Sequence, residues 1–329
     1  MPFTPARSLY FLTTWYCAQD APAEGGIMSQ QTLRYKGSFK RLVKSSIKPI
    51  IQRLPDPLDM GIFVMRDYRR VFGHYPHILF PRTFNEKVQV RKIFDRRRQL
   101  TVWADKYLVR DYVSRILGPA VLPVLYHVTV DPSDIPFEQL PKQYVVKATH
   151  GSQWIYIVRD GLAINKKEII ECCRTWLSTS YYELGREWVY KNIIPRIIIE
   201  EFLDNGTGVV PQDYKFFVFG GKVRFVQVDV GRFTAHKRNL YDHEWNRIEC
   251  HYEYENSDAE IPKPETLDTM IDYAQRLAGG IDFVRVDLYE VRGKVYFGEL
   301  TNTPSNGLVP FSPPSWDTAF GSFWKTRMR

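Results

Sequence analysis

The chain has 329 residues, 44% of them hydrophobic and 15% aromatic, enough for real cores, which excludes a disordered or fibrous polymer. Its formal charge of +8 is uneven: Met28 to Ala120 holds 20 Lys and Arg against 7 Asp and Glu, and Val121 onward holds 24 against 28. Four cysteines (Cys17, Cys172, Cys173, Cys250) show neither metal spacing nor secreted-scaffold density, which fits a reducing compartment.

Residues 1–27 contain a short apolar run, Ser8 to Ala18, that resembles a signal peptide but is too short and polar to span a bilayer. We expect this stretch to be a poorly ordered extension, with Met28 as a natural start. No later run reaches transmembrane length, so a cytoplasmic protein is expected. Residues 28–103 read as a basic helical region. Gln31 to Gln52 is amphipathic at helical spacing, with Leu33, Phe39, Val43 and Ile47 set against Arg34, Lys40, Lys44 and Lys48. Its basic face suits nucleic acid, anionic lipid, an acidic polymer or plain solvent. A second helix is predicted over Leu58–Phe72, and a third from Thr83 to about Phe94, where Thr83 and Glu86 have capping-box spacing.

Ala104–Leu117 predicts a further helix, closed by Gly118-Pro119. Strands follow over Val121–Val128, Tyr144–Ala148 and Trp154–Arg159, then a helix over Lys166–Tyr182. Pro195–Phe202 reads as an interior strand because it is continuously apolar. Lys215–Phe219 and Val223–Val230 form a hairpin around Gly220-Gly221, and Pro264–Gly279 is helical. Strands and helices alternate irregularly, so the fold class is α+β rather than doubly wound.

The last hairpin carries the strongest chemical signal. Runs 283–289 and 294–300 flank a turn at Arg292-Gly293-Lys294, which places Asp287 roughly opposite Glu299. Arg285, Asp287 and Tyr289 share a face by alternation. Two converging carboxylates repel unless a cation bridges them, and Mg²⁺ takes carboxylates together with substrate phosphates. A solvated surface hairpin is the plain alternative. Upstream, Lys147 ends an apolar strand before the loop Thr149-His-Gly-Ser-Gln153. A lysine there needs an anion, and a glycine loop lets amide groups approach phosphate oxygens. His150 is expected to support that loop rather than act as an acid or base. The strand 197–203 ends in two glutamates, where backbone groups and a carboxylate can read an adenine edge or simply leave into solvent.

Taken in order, these pieces resemble an ATP-grasp enzyme over about residues 104–310. The wording Phe84-Asn-Glu-Lys87, Lys147-Ala-Thr-His-Gly-Ser152, Asp213-Tyr-Lys-Phe-Phe-Val-Phe-Gly-Gly221 and Gly298-Glu-Leu-Thr301 resembles the TupA-like branch, associated with surface-polysaccharide biosynthesis. The resemblance implies two α+β lobes gripping ATP, a first over 104–203 and a second over 204–329. It implies that Lys106, Lys147, Gly151 and Ser152 hold phosphates. Glu200 and the backbone of Glu201 and Leu203 would read adenine, and Asp213 would contact the ribose. Asp287 and Glu299 would bind two Mg²⁺, with Asn302 as a further ligand. Many relatives place Asn two residues after the metal-binding Glu. Here that residue is Thr301, and a small strand-end bulge would be needed to present Asn302. Arg285 would stabilise the transferred charge, and Lys215 and Arg232 would contact the acceptor carboxylate.

The implied activity is an ATP-dependent ligase that joins an amine to the carboxylate of a uronic-acid-containing glycan through an acyl phosphate. Its partners would be the acid and amine substrates, and also the anionic inner membrane surface or polysaccharide-assembly enzymes. Two other readings stand beside it: an ATP-dependent glycan kinase or glycosyltransferase accessory protein, and a basic nucleic-acid or membrane-binding module. Of these, nucleic acid is the partner not expected.

Overall fold

A computed structural model describes residues 56–159, 164–206, 210–231 and 236–325. The extension 1–27, the basic helix expected over 31–52 and Arg232 lie outside the described residues. The first described element is α1 (Asp56–Phe72), whose Met60, Val64 and Tyr68 recur every fourth residue and turn inward. It stops at Gly73, whose amide bonds back to the Arg69 carbonyl in a left-handed conformation. Next is α2 (Phe84–Phe94), where the predicted capping box is present: Thr83 accepts from the Glu86 amide while Glu86 accepts from the Thr83 amide.

The helix expected over 104–117 is α4 (Leu108–Leu117), which starts later than expected, and an unpredicted short helix, α3 (Arg98–Ala104), precedes it. The break comes from Asp105, whose Oδ1 accepts from the amides of Tyr107 (2.8 Å) and Leu108 (3.2 Å), a local bond that competes with helix propagation. A strand β1 (Leu125–Thr129) follows, shorter than predicted because Pro119–Val121 form a 3₁₀ turn. Then come β2 (Tyr144–Ala148), β3 (Ile155–Val158), α5 (Lys166–Ser178), α6 (Tyr181–Gly185) and β4 (Ile197–Glu201). The predicted helix 166–182 therefore divides at Thr179. These strands form one antiparallel sheet in the order β1-β4-β2-β3, which makes β4 an interior strand as its apolar run required.

The second sheet uses β5 (Asp213–Phe219), β6 (Lys222–Val230), β7 (Lys237–Asp242), β8 (Arg247–Ile248) and, beyond the short β9 (His251–Tyr252) and α7 (Leu267–Ala278), β10 (Phe283–Val291) and β11 (Lys294–Thr301). Its order is β11-β10-β5-β6-β7-β8. A strand β12 (Phe311–Ser312) pairs with β9, and α8 (Ser315–Phe323) completes the described chain. The described residues mix helices with antiparallel sheets, as the α+β reading required. Among the described residues no helix is long and apolar enough to cross a membrane.

The two faces of the second sheet differ, and that difference positions the site. On one face Phe216, Val226, Val286 and Leu288 lie fully buried under Met270, Ala274 and Leu277 of α7 and under Leu100 and Val113 of α3 and α4. The other face is apolar only at one end, where Phe217, Phe219 and Phe283 meet Phe84 of α2 and Phe320 and Trp324 at the end of the chain. Buried Asn85 ties these helices by donating to the Val309 carbonyl and to Asp317, each at 2.9 Å. Gly321 lets α8 touch α2: a Cβ there would lie 2.2 Å from the Arg82 carbonyl oxygen and 2.8 Å from the Phe84 nitrogen. Because backbone cannot yield as a side-chain tip can, Gly321→Ala is expected to cost about 3 kcal/mol, read from denaturant unfolding. A midpoint unchanged from wild type would contradict this packing.

Candidate functional site

The polar end of the mixed face is assembled by strand register. Glu299, Asp287, Lys215 and Gln227 are consecutive cross-strand partners on β11, β10, β5 and β6, and Tyr289, Asp213, Asp229 and Arg238 form the row beside them. Directly paired residues point to the same face, so one charged band crosses four strands. Asp287 and Glu299 pair directly, whereas an uninterrupted count from the turn would set Gly298 opposite Asp287.

Period-two alternation from that turn sends Glu299 to the same side as Val295 and Phe297, which are buried in the apolar face under α7. A bulge at Gly298 corrects the phase, since Asp287 pairs with Glu299 while Leu288 pairs with Phe297. Only glycine fits there, because a Cβ would lie 2.9 Å from both the Asp287 carbonyl oxygen and the Tyr289 ring. Gly298→Val should weaken Mg²⁺-nucleotide binding about tenfold at a stability cost of about 1–3 kcal/mol, checked by calorimetry and thermal unfolding. Wild-type nucleotide affinity in that variant would show that the bulge is not what aims Glu299.

Arg285 reaches across the carboxylates. Its Nε and one terminal nitrogen donate to the two oxygens of Asp287 at 2.7 Å each, and the same terminal nitrogen donates to Glu299 (3.1 Å) and to the Thr301 hydroxyl (3.0 Å). Thr301 in turn donates to Glu299 at 2.9 Å. Lys215 donates to Asp213 and, at 3.0 Å, to Asp287, and stands 4.0 Å from Asp229. Burial would raise the Glu299 carboxyl, but Lys106, Arg285 and Lys215 hold it down at about 2, helped by the Thr301 bond. Its side chain keeps 36% of its surface, so water tempers that pull. Burial pushes the Asp287 carboxyl above its usual value, with Glu299 and Asp213 adding to it against Arg285 and Lys215.

The structure corrects the place given to Asn302. The bulge lies before Glu299 rather than after it, so alternation sends Thr301 to the site, Leu300 to the core and Asn302 away. The buried Asn302 amide donates to the Leu100 carbonyl of α3 at 2.9 Å.

The first sheet and the helices before it gather further cations, two of them on Glu200. Lys147 on β2 donates to Glu200 Oε2 at 2.8 Å, and Arg110 of α4 bonds the other oxygen. Glu200 is thus held between two cations at the end of β4. The Glu201 amide donates to the Val124 carbonyl at 2.8 Å, and Leu203 lies half-buried just past the strand. Lys106, in the turn between α3 and α4, bonds the Gly151 carbonyl with its ammonium and the Thr149 carbonyl with its amide. Burial depresses its pKa, offset by Glu299 and by Asp105 and Glu200, with Lys147 acting against them. Lys106 therefore feels groups of both sheets. Gly151 is required because a Cβ would strike the Trp154 ring at 2.6 Å and Tyr181 at 2.9 Å, and Ser152 hydrogen-bonds Tyr181. His150 is buried and its Nε2 donates to the Trp176 carbonyl at 2.9 Å, so the ring braces the loop.

Two charged groups at this site escaped the sequence. Arg110 was one arginine on a predicted helix, and only the fold shows that it meets Glu200. Glu187 is buried, accepts a bond from Thr303 just past β11, and has its carboxyl raised by burial despite nearby Lys92. Neither has a motif around it, so their link to the site is purely tertiary.

The donor set suits Mg²⁺. Asp287 and Glu299 offer oxygen from adjacent strands where Lys106, Lys215 and Arg285 gather, and Mg²⁺ takes one or two carboxylates and completes its shell with water and phosphate. Among the described residues no group of three or more His, Cys, Asp or Glu side chains forms a closed cage.

A family model described as TupA-like ATPgrasp matches residues 86–325. Among solved structures, D-alanine–D-alanine ligase from Bacillus anthracis is similar at 18% identity and a TM-score of 0.38, over 61% of this chain and 58% of that one. The ATP-grasp ligase PsnB, complexed with its minimal precursor, is 15% identical with a TM-score of 0.36, over 62% and 54%. L-amino acid ligase from Bacillus licheniformis is 16% identical with a TM-score of 0.38, over 68% and 43%. The chain spans less than two thirds of the length of each of these three. No curated protein matches it. With its family model covering most of the chain, from the capping box of α2 to beyond α8, the protein belongs to the TupA-like ATP-grasp family.

Proposed function

We propose that the protein is a Mg²⁺- and ATP-dependent carboxylate–amine ligase whose acid is a uronic-acid-containing surface glycan or its precursor. The observation that carries this reading is the convergence of three cations on the Asp287–Glu299 pair, Lys106 from the turn before α4 and Lys215 and Arg285 from the second sheet. Mg²⁺, in two ions by the family reading, would be held by Asp287 and Glu299 and would neutralise charge on the β- and γ-phosphates. Glu299 is ionised at neutral pH, as a ligand must be.

Lys106 and Lys147 bind phosphate oxygens while the 149–153 loop closes over them. Glu200, held by Arg110, accepts from adenine beside the backbone of Glu201 and Leu203, and Asp213 meets the ribose. Arg285 and Lys215 face the transferred phosphoryl group and the acid, whose carboxylate oxygen attacks the γ-phosphorus as its bond to the β,γ-bridging oxygen breaks and ADP leaves. An amine then displaces phosphate from the acyl phosphate, and a closed loop keeps out the water that would compete. Arg232 is assigned to the acid as well. We place the enzyme in the cytoplasm, serving polysaccharide assembly at the inner membrane face.

The test is an ADP-release screen of uronic acids with amino acids, read by mass spectrometry, with hydroxylamine as a trap. Acid-dependent ADP release and a hydroxamate are expected. Phosphate ending stably on the sugar, with no hydroxamate, would make the protein a glycan kinase. Salt-sensitive nucleic-acid binding without nucleotide affinity would remove the enzyme reading altogether.

A further inference from the structure

Helix α1 is apolar on two faces. Met60 and Val64 are buried against Ile93 and Tyr182, with Tyr68 buried one turn further on against Phe72, and this accounts for one of them. The other carries Leu58, Ile62 and Met65 at spacings of four and three residues, with Leu58 53% and Ile62 43% exposed. Arg66, Arg69 and Arg70 continue this outer stripe, set against one carboxylate, Asp67, which pairs with Arg66 at 3.1 Å and Arg70 at 3.6 Å. Arg69 donates to the Tyr75 hydroxyl at 2.8 Å and lies over its ring, which fastens the following loop to the helix. That loop carries Leu79 and Phe80, 75% and 80% exposed, between Pro76 and Pro81. The arginine-rimmed stripe of α1 and the exposed aliphatic and aromatic tips of the loop that Tyr75 fastens to it are each amphipathic.

We propose that together they form an edge that seats the protein on an anionic lipid bilayer, with Leu79 and Phe80 entering the headgroup–acyl boundary and the arginines meeting lipid phosphates. Charge selects this occupant. Residues 28–55 of the chain hold seven Lys and Arg and no Asp or Glu, the same sign of charge as the arginine rim rather than its complement. A second copy would oppose the same positive rim to itself. Nucleic acid would satisfy the arginines but would leave Leu58, Ile62, Leu79 and Phe80 against water or phosphate. An anionic bilayer satisfies both halves of the edge, and the preceding basic segment adds to the same attraction. The inference is independent of the ligase reading.

The experiment is flotation of the full chain with vesicles of phosphatidylcholine alone and of phosphatidylcholine mixed with phosphatidylglycerol. Binding to the anionic vesicles only is expected. R66E/R70E and L79D/F80D should each lower partitioning about tenfold, while Mg²⁺-nucleotide binding stays at the wild-type value and so reports an intact fold. Three results would overturn the proposal. One is no binding to the anionic vesicles. Another is wild-type binding in both variants together with loss in K40E/R41E/K44E, which would assign the attraction to the basic segment alone. The third is a dimer in sedimentation that L79D/F80D dissociates, which would make the edge a contact between copies.

Discussion

Glu299→Gln should reduce turnover by about 10²–10³-fold while leaving the melting temperature close to wild type. The glutamate is partly exposed and makes single bonds to Arg285 and Thr301, which the isosteric amide retains in part. Loss of an exposed ionic contact is worth about 0–1 kcal/mol. Its role as a Mg²⁺ ligand depends on the charge itself, so catalysis and stability separate in this variant. Asp287→Ala should not separate them. Asp287 is buried and receives both the two-point bond from Arg285 and a bond from Lys215, so its removal strands buried cations at a cost of about 3–5 kcal/mol. Wild-type turnover in Glu299→Gln would dismiss the metal assignment, whatever the Asp287 variant did.

Lys215→Met is expected to destabilise the central strands with a marked pH dependence. Asp213, Asp229 and Asp287 all lie within 4.0 Å of its ammonium, and each side chain is about 2% exposed. Arg238 still serves Asp229 and Arg285 still serves Asp287, so the cost should fall at the lower end of the range for broken buried pairs, about 3 kcal/mol at neutral pH. The pH dependence has a defined sign. Burial already raises the folded Asp287 carboxyl above its ordinary 3.8, and removing the lysine raises it further. A group raised in the folded state lends stability below its unfolded value and loses it as pH climbs through the folded value. The deficit of Lys215→Met relative to wild type should therefore shrink toward pH 4 and widen above it. Urea unfolding at several pH values reads this directly, and a pH-independent deficit would mean that the lysine serves packing rather than charge.

How much of this was legible in sequence varied with the range of the force involved. Tyr144–Ala148 is a strand over the residues its apolar run predicted, and the Thr83–Glu86 cap formed as its spacing required, because both are local. Counting out of a tight turn brought Asp287 and Glu299 only roughly opposite, and the bulge at Gly298 makes them direct partners. Helix breaks were missed where a side chain overrode periodicity, as Asp105 does by capping α4. Asn302 was misplaced because the bulge at Gly298 shifts the phase before the glutamate; a glycine inside a β-branched run was the available signal. Arg110 and Glu187 had no local signal, since their partners lie on other elements.

The aromatic cluster behind the site has a consequence for biosynthesis. Phe84 comes from near the start of the described chain, and Phe320 and Trp324 from its last turn, yet all three pack on the same end of the sheet that holds Lys215 and Asp287. During translation the early helix must wait, its apolar face open, until residue 324 has left the ribosome. Closure across so many residues is slow, and the waiting intermediate is the species most exposed to aggregation. A nascent chain can build its first sheet early, but the apolar end of the face that carries the site is sealed last.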